Sequence, residues 1–231
     1  MSIVGPSGCG KSTTLTLVSG LTDVSAGAIG LQGRPVAGVR TDVGFIFQRD
    51  ALLPWKTVYD NVALPLLFRS VPRTEIARRV PAWLARVGLR DFAHHYPHQL
   101  SGGMRKRVQL AQSLVYDPPV LLMDEPFSAL DVQTRNLMEN EVLELWQSGS
   151  PKKTVLFITH DLEEAIALSD EIVVMTAGPG RVKSRYAVEL PRPRNVTEIR
   201  FAPGFVALYE RAWADLSDEV SRSYERSLRA P

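Results

Sequence analysis

Apolar positions along the chain change period several times, and each change marks an element. Ile3 and Val4 form a short apolar lead-in, and Leu15, Leu17, Val18 and Leu21 follow at helical spacing. Residues 25–36 read as short strands with glycine turns, and residues 43–48 as an apolar strand ending on Gln48. From Tyr59 to Tyr116 the reading is largely helical, carried by Val62 and Leu66 and then by Ile76, Val80, Leu84 and Val87. Pro81 starts or kinks a helix within that series. Val108, Ala111, Leu114 and Val115 form the inner face of another helix, whose first turns carry Arg105, Lys106 and Arg107 on one side. Residues 120–125 and 154–160 are apolar runs ending on polar groups, the pattern of strands covered on both faces. Between them, residues 126–131 turn into a helix expected from Val132 to Trp146. A short helix over 161–169, a strand over 172–175, a turn over 177–180 and an edge hairpin over 181–190 follow. Pro191 and Pro193 mark a boundary. Beyond it Phe205, Leu208, Tyr209, Trp213 and Leu216 predict an amphipathic helix over 203–216 that packs on the core, with polar residues from Ser217 fraying.

This alternation predicts one α/β domain over residues 1–231, with a mostly parallel sheet, a small antiparallel region and a helical region inserted at about 57–116. At 45% hydrophobic and 23% charged residues the chain is ordinary for a globular protein. A formal charge of +2 is too small to argue for nucleic acid or an acidic membrane surface as a partner. The most apolar segment, residues 62–68, is far shorter than a bilayer span, and no basic, apolar leader stands at the N-terminus. The single cysteine, Cys9, excludes an internal disulfide, fits a reducing compartment, and reads as a small residue filling a loop.

That loop carries the strongest chemistry. Gly5, Pro6, Ser7, Gly8, Cys9, Gly10, Lys11, Ser12 and Thr13 set four free positions between the first glycine and a Gly-Lys-Ser, between an apolar lead-in and a helical run. Glycines let successive N–H groups face inward, and a helix start adds its positive end, so the stretch suits a nucleoside triphosphate. Lys11 reaches the outer phosphates and the Ser12 hydroxyl can ligate Mg²⁺. Asp124 and Glu125 end the second apolar strand on opposite sides: one carboxylate is suited to holding Mg²⁺ and the other to activating water. Gln48 and His160 also close apolar strands, where open α/β sheets place ligands. Ser101, Gly102 and Gly103 are read either as a helix N-cap or as phosphate donors. Leu52, Leu53 and Trp55 either form an exposed patch for a protein partner or close over the core. His94, His95 and His98 read as surface or packing residues.

In this order, these motifs closely resemble the ATP-binding subunits of ATP-binding-cassette transporters over essentially the whole chain. The resemblance implies that residues 5–13 form the Walker A loop and that Gln48 is the Q-loop glutamine. It makes residues 100–104 the signature turn, with Met104 in place of the common glutamine, and residues 121–125 Walker B. It makes residues 128–131 the D-loop and His160 the switch histidine. It further implies a head-to-tail homodimer with ATP and Mg²⁺ between the loop of one copy and Ser101, Gly102 and Gly103 of the other. Glu125 is then the general base, with Gln48, His160 and Lys11 catalytic, and Ser12, Gln48 and Asp124 around the metal. Residues 47–55, 161–165, 175–181 and 190–194 are similar to the importer group for nitrate, sulfonate, taurine or bicarbonate. That likeness implies membrane permease subunits docking near Leu52 to Trp55, a solute-binding protein acting indirectly, and a peripheral position on the cytoplasmic face of the plasma membrane. The family normally carries a longer stretch before Walker A, including an aromatic residue that stacks on adenine. Weaker nucleotide binding is expected where it is missing. The alternative is a soluble cassette ATPase with a regulatory or nucleic-acid-linked structural role, for which no accessory insertion or second cassette is visible; a non-hydrolysing subunit is disfavoured by Glu125 and His160.

Overall fold

Runs of β-branched and aliphatic residues form the inner strands of the main sheet, and the computed structural model describes residues 1–49, 51–148 and 153–229. Asp50, within the run from Phe47 to Trp55, lies outside the described residues. The described chain divides into two units, one comprising residues 1–41, 122–125 and 154–231 and the other residues 42–121 and 126–153.

In the first unit, β1 (Ser2–Val4) runs parallel to β6 (Thr154–Ile158) on one side and to β7 (Glu171–Met175) on the other. The strand order is β5 (Val120–Asp124, of which this unit holds the last three residues), β6, β1, β7 and β8 (Val182–Ala187). All three residues of β1 are buried, Ser2 together with the apolar Ile3 and Val4, as expected of a short strand flanked on both sides by parallel neighbours. The expected hairpin over 181–190 is instead a single strand: β8 pairs antiparallel with β7, so β7 is the other arm. The small antiparallel region is β2 (Gly30–Leu31) against β3 (Arg34–Pro35).

Helices α1 (Lys11–Val18), α6 (Leu162–Leu168), α7 (Val196–Ile199) and α8 (Pro203–Arg229) belong to the same unit. Phe205, Leu208 and Leu216 are buried, as the periodicity predicts, whereas Tyr209 is half-buried and Trp213 48% exposed; Ala212, outside that series, is buried in their place. The helix also continues well past Ser217 instead of fraying. Glu219 and Arg222 pair at i,i+3, and Glu219 is itself buried, so packing extends beyond Leu216 although Val220, Tyr224 and Leu228 are exposed.

The second unit holds β4 (Val43–Ile46), the start of β5, and helices α2 (Val58–Phe68), α3 (Arg73–Arg86), α4 (Gly102–Leu114) and α5 (Val132–Ser148). Pro81 lies inside α3 rather than starting a helix. The cations of α4 do not form one solvated face. Lys106 is buried with Nζ on the carbonyls of Phe47 (2.7 Å) and Gln48 (3.0 Å), while Arg107 donates to Val87 and Arg105 to Leu100. His95 packs a ring edge on Phe92 and His98 stacks on Tyr96.

Arg194 is the buried cation that closes the first unit's C-terminal segment. Its guanidinium donates to the carbonyls of Ile166, Ala167, Ser169, Val188 and Leu190, satisfying the end of α6 and the strand exit together. Burial, with Arg192 nearby, lowers its pKa to about 10, so the side chain stays charged at neutral pH. Replacing it leaves several buried carbonyls without donors. Arg194→Met should therefore cost about 2–4 kcal/mol, read as a lowered denaturant midpoint at unchanged slope; a loss within experimental error would contradict this role.

Candidate functional site

The phosphate-type loop leaves β1 and enters α1, and its backbone is set by Gly8 (φ +75°) and Gly10 (φ +101°). Side chains rarely adopt such angles, and a Cβ at either position would meet nothing within 4 Å, so the glycines serve conformation rather than packing. The crest, Ser7 and Gly8, is exposed, whereas the floor, Gly5, Pro6 and Cys9, is buried. Lys11 is only 8% exposed and donates from Nζ to the carbonyls of Gly5 (2.8 Å) and Pro6 (2.9 Å). The ammonium is thus fixed inside the loop. Helix α1 begins at Lys11 with no side-chain cap and no acid in its first turn, so its positive end is left uncompensated. Ser12 and Thr13 in that turn are exposed, placing two hydroxyls beside the lysine.

Asp124 ends β5 buried, and Glu125 follows at φ +45°, a left-handed angle unusual for a non-glycine residue. The Glu125 N–H donates to the Ile158 carbonyl at 2.9 Å, tying this turn to the end of β6. Two residues beyond Ile158, His160 brings Nδ1 to 3.3 Å from Glu125 Oε2. The carboxylate is largely covered (18% exposed) and the imidazole largely open (64%), so the acidic side chain is sheltered while its partner faces solvent. The segment under His160 is rigid: Thr159 Oγ1 donates to the buried Glu164 at 2.7 Å and accepts from Asp161 N–H, and Asp161 caps α6 through Glu163 and Glu164 N–H.

The first unit therefore gathers the loop of residues 5–13, Asp124, Glu125 and His160. Gln48 and the Ser101 turn belong to the second unit. There Gln48 is exposed at the end of β4, and its backbone is held by Lys106 and by Gln109, which donates to Phe47 and Arg49. Ser101 accepts from Met104 N–H at 3.2 Å and so caps α4; it and Gly102 are exposed. The open choice over Leu52, Leu53 and Trp55 resolves residue by residue: Leu52 is buried, Leu53 half-buried and Trp55 70% exposed. Asn61, buried and unremarked in the sequence, explains this. It accepts from Leu53 N–H and donates to the carbonyls of Leu53, Lys56 and Thr57, which fixes the loop that presents Trp55. Among the described residues, no helix is long and apolar enough to cross a membrane.

The pattern of the family described as "ABC transporter" matches residues 1–128. An uncharacterized ABC transporter ATP-binding protein of Methanocaldococcus jannaschii is 46% identical over 223 residues, 96% of this chain and 81% of that protein. A taurine import ATP-binding protein, TauB, of Rhizobium johnstonii is 44% identical over 95% of this chain and 85% of its own length. Among solved structures, a dimeric structure of the ATP-binding cassette MJ0796 in a post-hydrolysis state with ADP and Pi shares 32% identity. It aligns with a TM-score of 0.72 over 82% of this chain and 85% of its own. A fixed lysine inside a glycine loop, a sheltered carboxylate against a histidine, and these likenesses converge: the chain belongs to the ABC transporter family as an ATP-binding, ATP-hydrolysing subunit.

Proposed function

We propose that this subunit hydrolyses Mg²⁺-ATP to energise import of a small anionic or zwitterionic solute of the nitrate, sulfonate, taurine or bicarbonate type. The observation that carries the chemistry is the 3.3 Å contact between Glu125 and His160 beside a loop whose lysine is held on its own floor carbonyls. Phosphate oxygens accept from backbone N–H groups of the loop after Pro6 and take Lys11 Nζ as a partner. The exposed Ser12 hydroxyl and the Asp124 carboxylate are oxygen donors suited to a hard cation, and Gln48 would add its amide oxygen as a further ligand in this reading. A bound magnesium ion neutralises charge on the phosphates. Glu125 takes the proton from the attacking water as the new oxygen–phosphorus bond forms and the bond to ADP breaks. His160, oriented by Glu125, donates a hydrogen bond to the phosphoryl group in transfer.

Residues 1–231 act in this reading as one cassette domain, with the helical region about 57–116 as its insertion and the helix from about 203 packed on the core. Two copies pair head to tail, so that Ser101, Gly102 and Gly103 of one complete the site of the other; the dimeric form of MJ0796 supports this arrangement. The subunit lies peripherally on the cytoplasmic face of the membrane. Permease subunits dock near Leu52 to Trp55, a reading supported by the exposure of Trp55, and a solute-binding protein delivers the cargo indirectly. The taurine import proteins among the relatives support the solute class. No residue described here contacts the cargo in this scheme.

Two outcomes test the assignments. Glu125→Gln should lower ATP turnover by about a hundredfold or more while ATP affinity stays near that of the parent and dimers accumulate; turnover at the parental rate would remove Glu125 as the base. Lys11→Met should weaken ATP binding by roughly ten- to a hundredfold in calorimetric titration, whereas unchanged binding would place the phosphates elsewhere.

A further inference from the structure

The turn that follows β7 lies directly behind the phosphate loop. A Cβ on Gly180 would stand 1.9 Å from the Cys9 carbonyl oxygen, so the main chain there approaches the loop too closely for any side chain. A Cβ on Gly5 would likewise stand 3.1 Å from both Cβ and the carbonyl oxygen of Met175. The turn is internally closed. Thr176 N–H donates to Arg181, its hydroxyl donates to Pro179, and it accepts from Arg181 N–H. The floor of the phosphate loop meets this closed turn at Gly180 and meets the end of β7 at Met175.

Helix α8 grips the same turn. Glu219, 2% exposed, accepts from Ala177 N–H at 2.9 Å through Oε2. Its other oxygen lies 3.1 Å from Lys183 Nζ and accepts from Arg222 at 3.1 Å. Arg226, one turn further on, donates to the Gly178 carbonyl. The Ala177 amide, then Lys183 and Arg222, hold the Glu219 carboxyl below the usual carboxylate range, so it is ionised at neutral pH. Contacts thus run from α8 through residues 176–181 to Cys9, whose Sγ would stand 3.1 Å from a Cβ on Gly5, the residue whose carbonyl holds Lys11.

We propose that Glu219 is a positioning residue for nucleotide binding: through Ala177 it presses the turn of residues 176–181 against the phosphate loop and so sets the loop's shape for the diphosphate. The inference rests on the reading of residues 5–13 as the nucleotide site. It assigns the C-terminal helix a part in affinity, beyond covering the sheet.

The test is ADP affinity by calorimetric titration, well below the melting temperature of each variant, with Tm recorded alongside. Glu219→Ala should raise the ADP Kd by roughly three- to tenfold, and Glu219→Gln, whose amide oxygen still accepts from Ala177, should restore most of it. Arg226→Ala, at an exposed position that does not threaten folding, should raise the Kd about twofold and serves if Glu219→Ala does not fold. Tyr186→Phe removes the hydroxyl that donates to the Arg211 carbonyl and Asp215 of α8, away from Glu219 and the turn, and should lower Tm at unchanged Kd. Parental affinity in both Glu219→Ala and Arg226→Ala, or an equal loss in Tyr186→Phe, would reduce Glu219 to a general packing role and overturn the proposal. Failure of the unaltered chain to bind ADP would instead overturn the nucleotide-site reading and this inference with it.

Discussion

A lysine ammonium buried in a loop of main chain is the constraint on which the rest depends. Lys11 is 8% exposed, and a cation so covered is tolerated only because the Gly5 and Pro6 carbonyls accept from it at 2.8 and 2.9 Å. Hydrogen bonds from a charged donor contribute about 1.5–3 kcal/mol each, enough to offset much of the desolvation. For those carbonyls to point inward the backbone must pass through left-handed angles at Gly8 and Gly10. It must also be seated on something firm, which the buried β1 and the turn behind Gly180 provide. The same arrangement leaves the start of α1 uncapped, so that one local geometry delivers a positive charge, open N–H groups and two hydroxyls together.

Catalytic potential adds a second local strain. Glu125 is held at φ +45° by its N–H bond to Ile158, an angle that costs of order 1–3 kcal/mol and is sustained by the two buried strands it joins. That angle turns the carboxylate toward His160 rather than back along β5. Buried Glu164 and Thr159 then keep the histidine's backbone in place while its ring stays open to solvent. The carboxylate is thus preorganised, and the ring beside it remains accessible to a reacting group.

Much of this geometry is legible in the sequence wherever a residue type stands at a fixed local spacing. The loop of residues 5–13 is such a case, and so are the paired acids at 124–125 and the strand ending on His160. The sheet follows from its apolar runs, since strands covered on both faces have no other composition available to them. What escapes notice is contact between residues far apart in the chain. Nothing near Lys106 announces that it will be buried on the carbonyls of Phe47 and Gln48, some 58 positions away. Asn61 looks like an ordinary helix residue until it is seen bracketing Leu53 to Thr57, and that bracket is why Leu52 and Trp55 part company. Helix α8 is underestimated for a related reason. Beyond Leu216 its hold comes from the buried, ion-paired Glu219 rather than from apolar periodicity.

The central claim is that Lys11, Asp124, Glu125 and His160 surround one triphosphate. A crystal structure of the Glu125→Gln variant with ATP and magnesium addresses it most directly. Lys11 Nζ is expected within hydrogen-bond distance of the β- or γ-phosphate, Ser12 and Asp124 at the metal, and His160 at the terminal phosphate. A nucleotide bound with its phosphates away from residues 5–13, and Lys11 still on the Gly5 and Pro6 carbonyls alone, would contradict it.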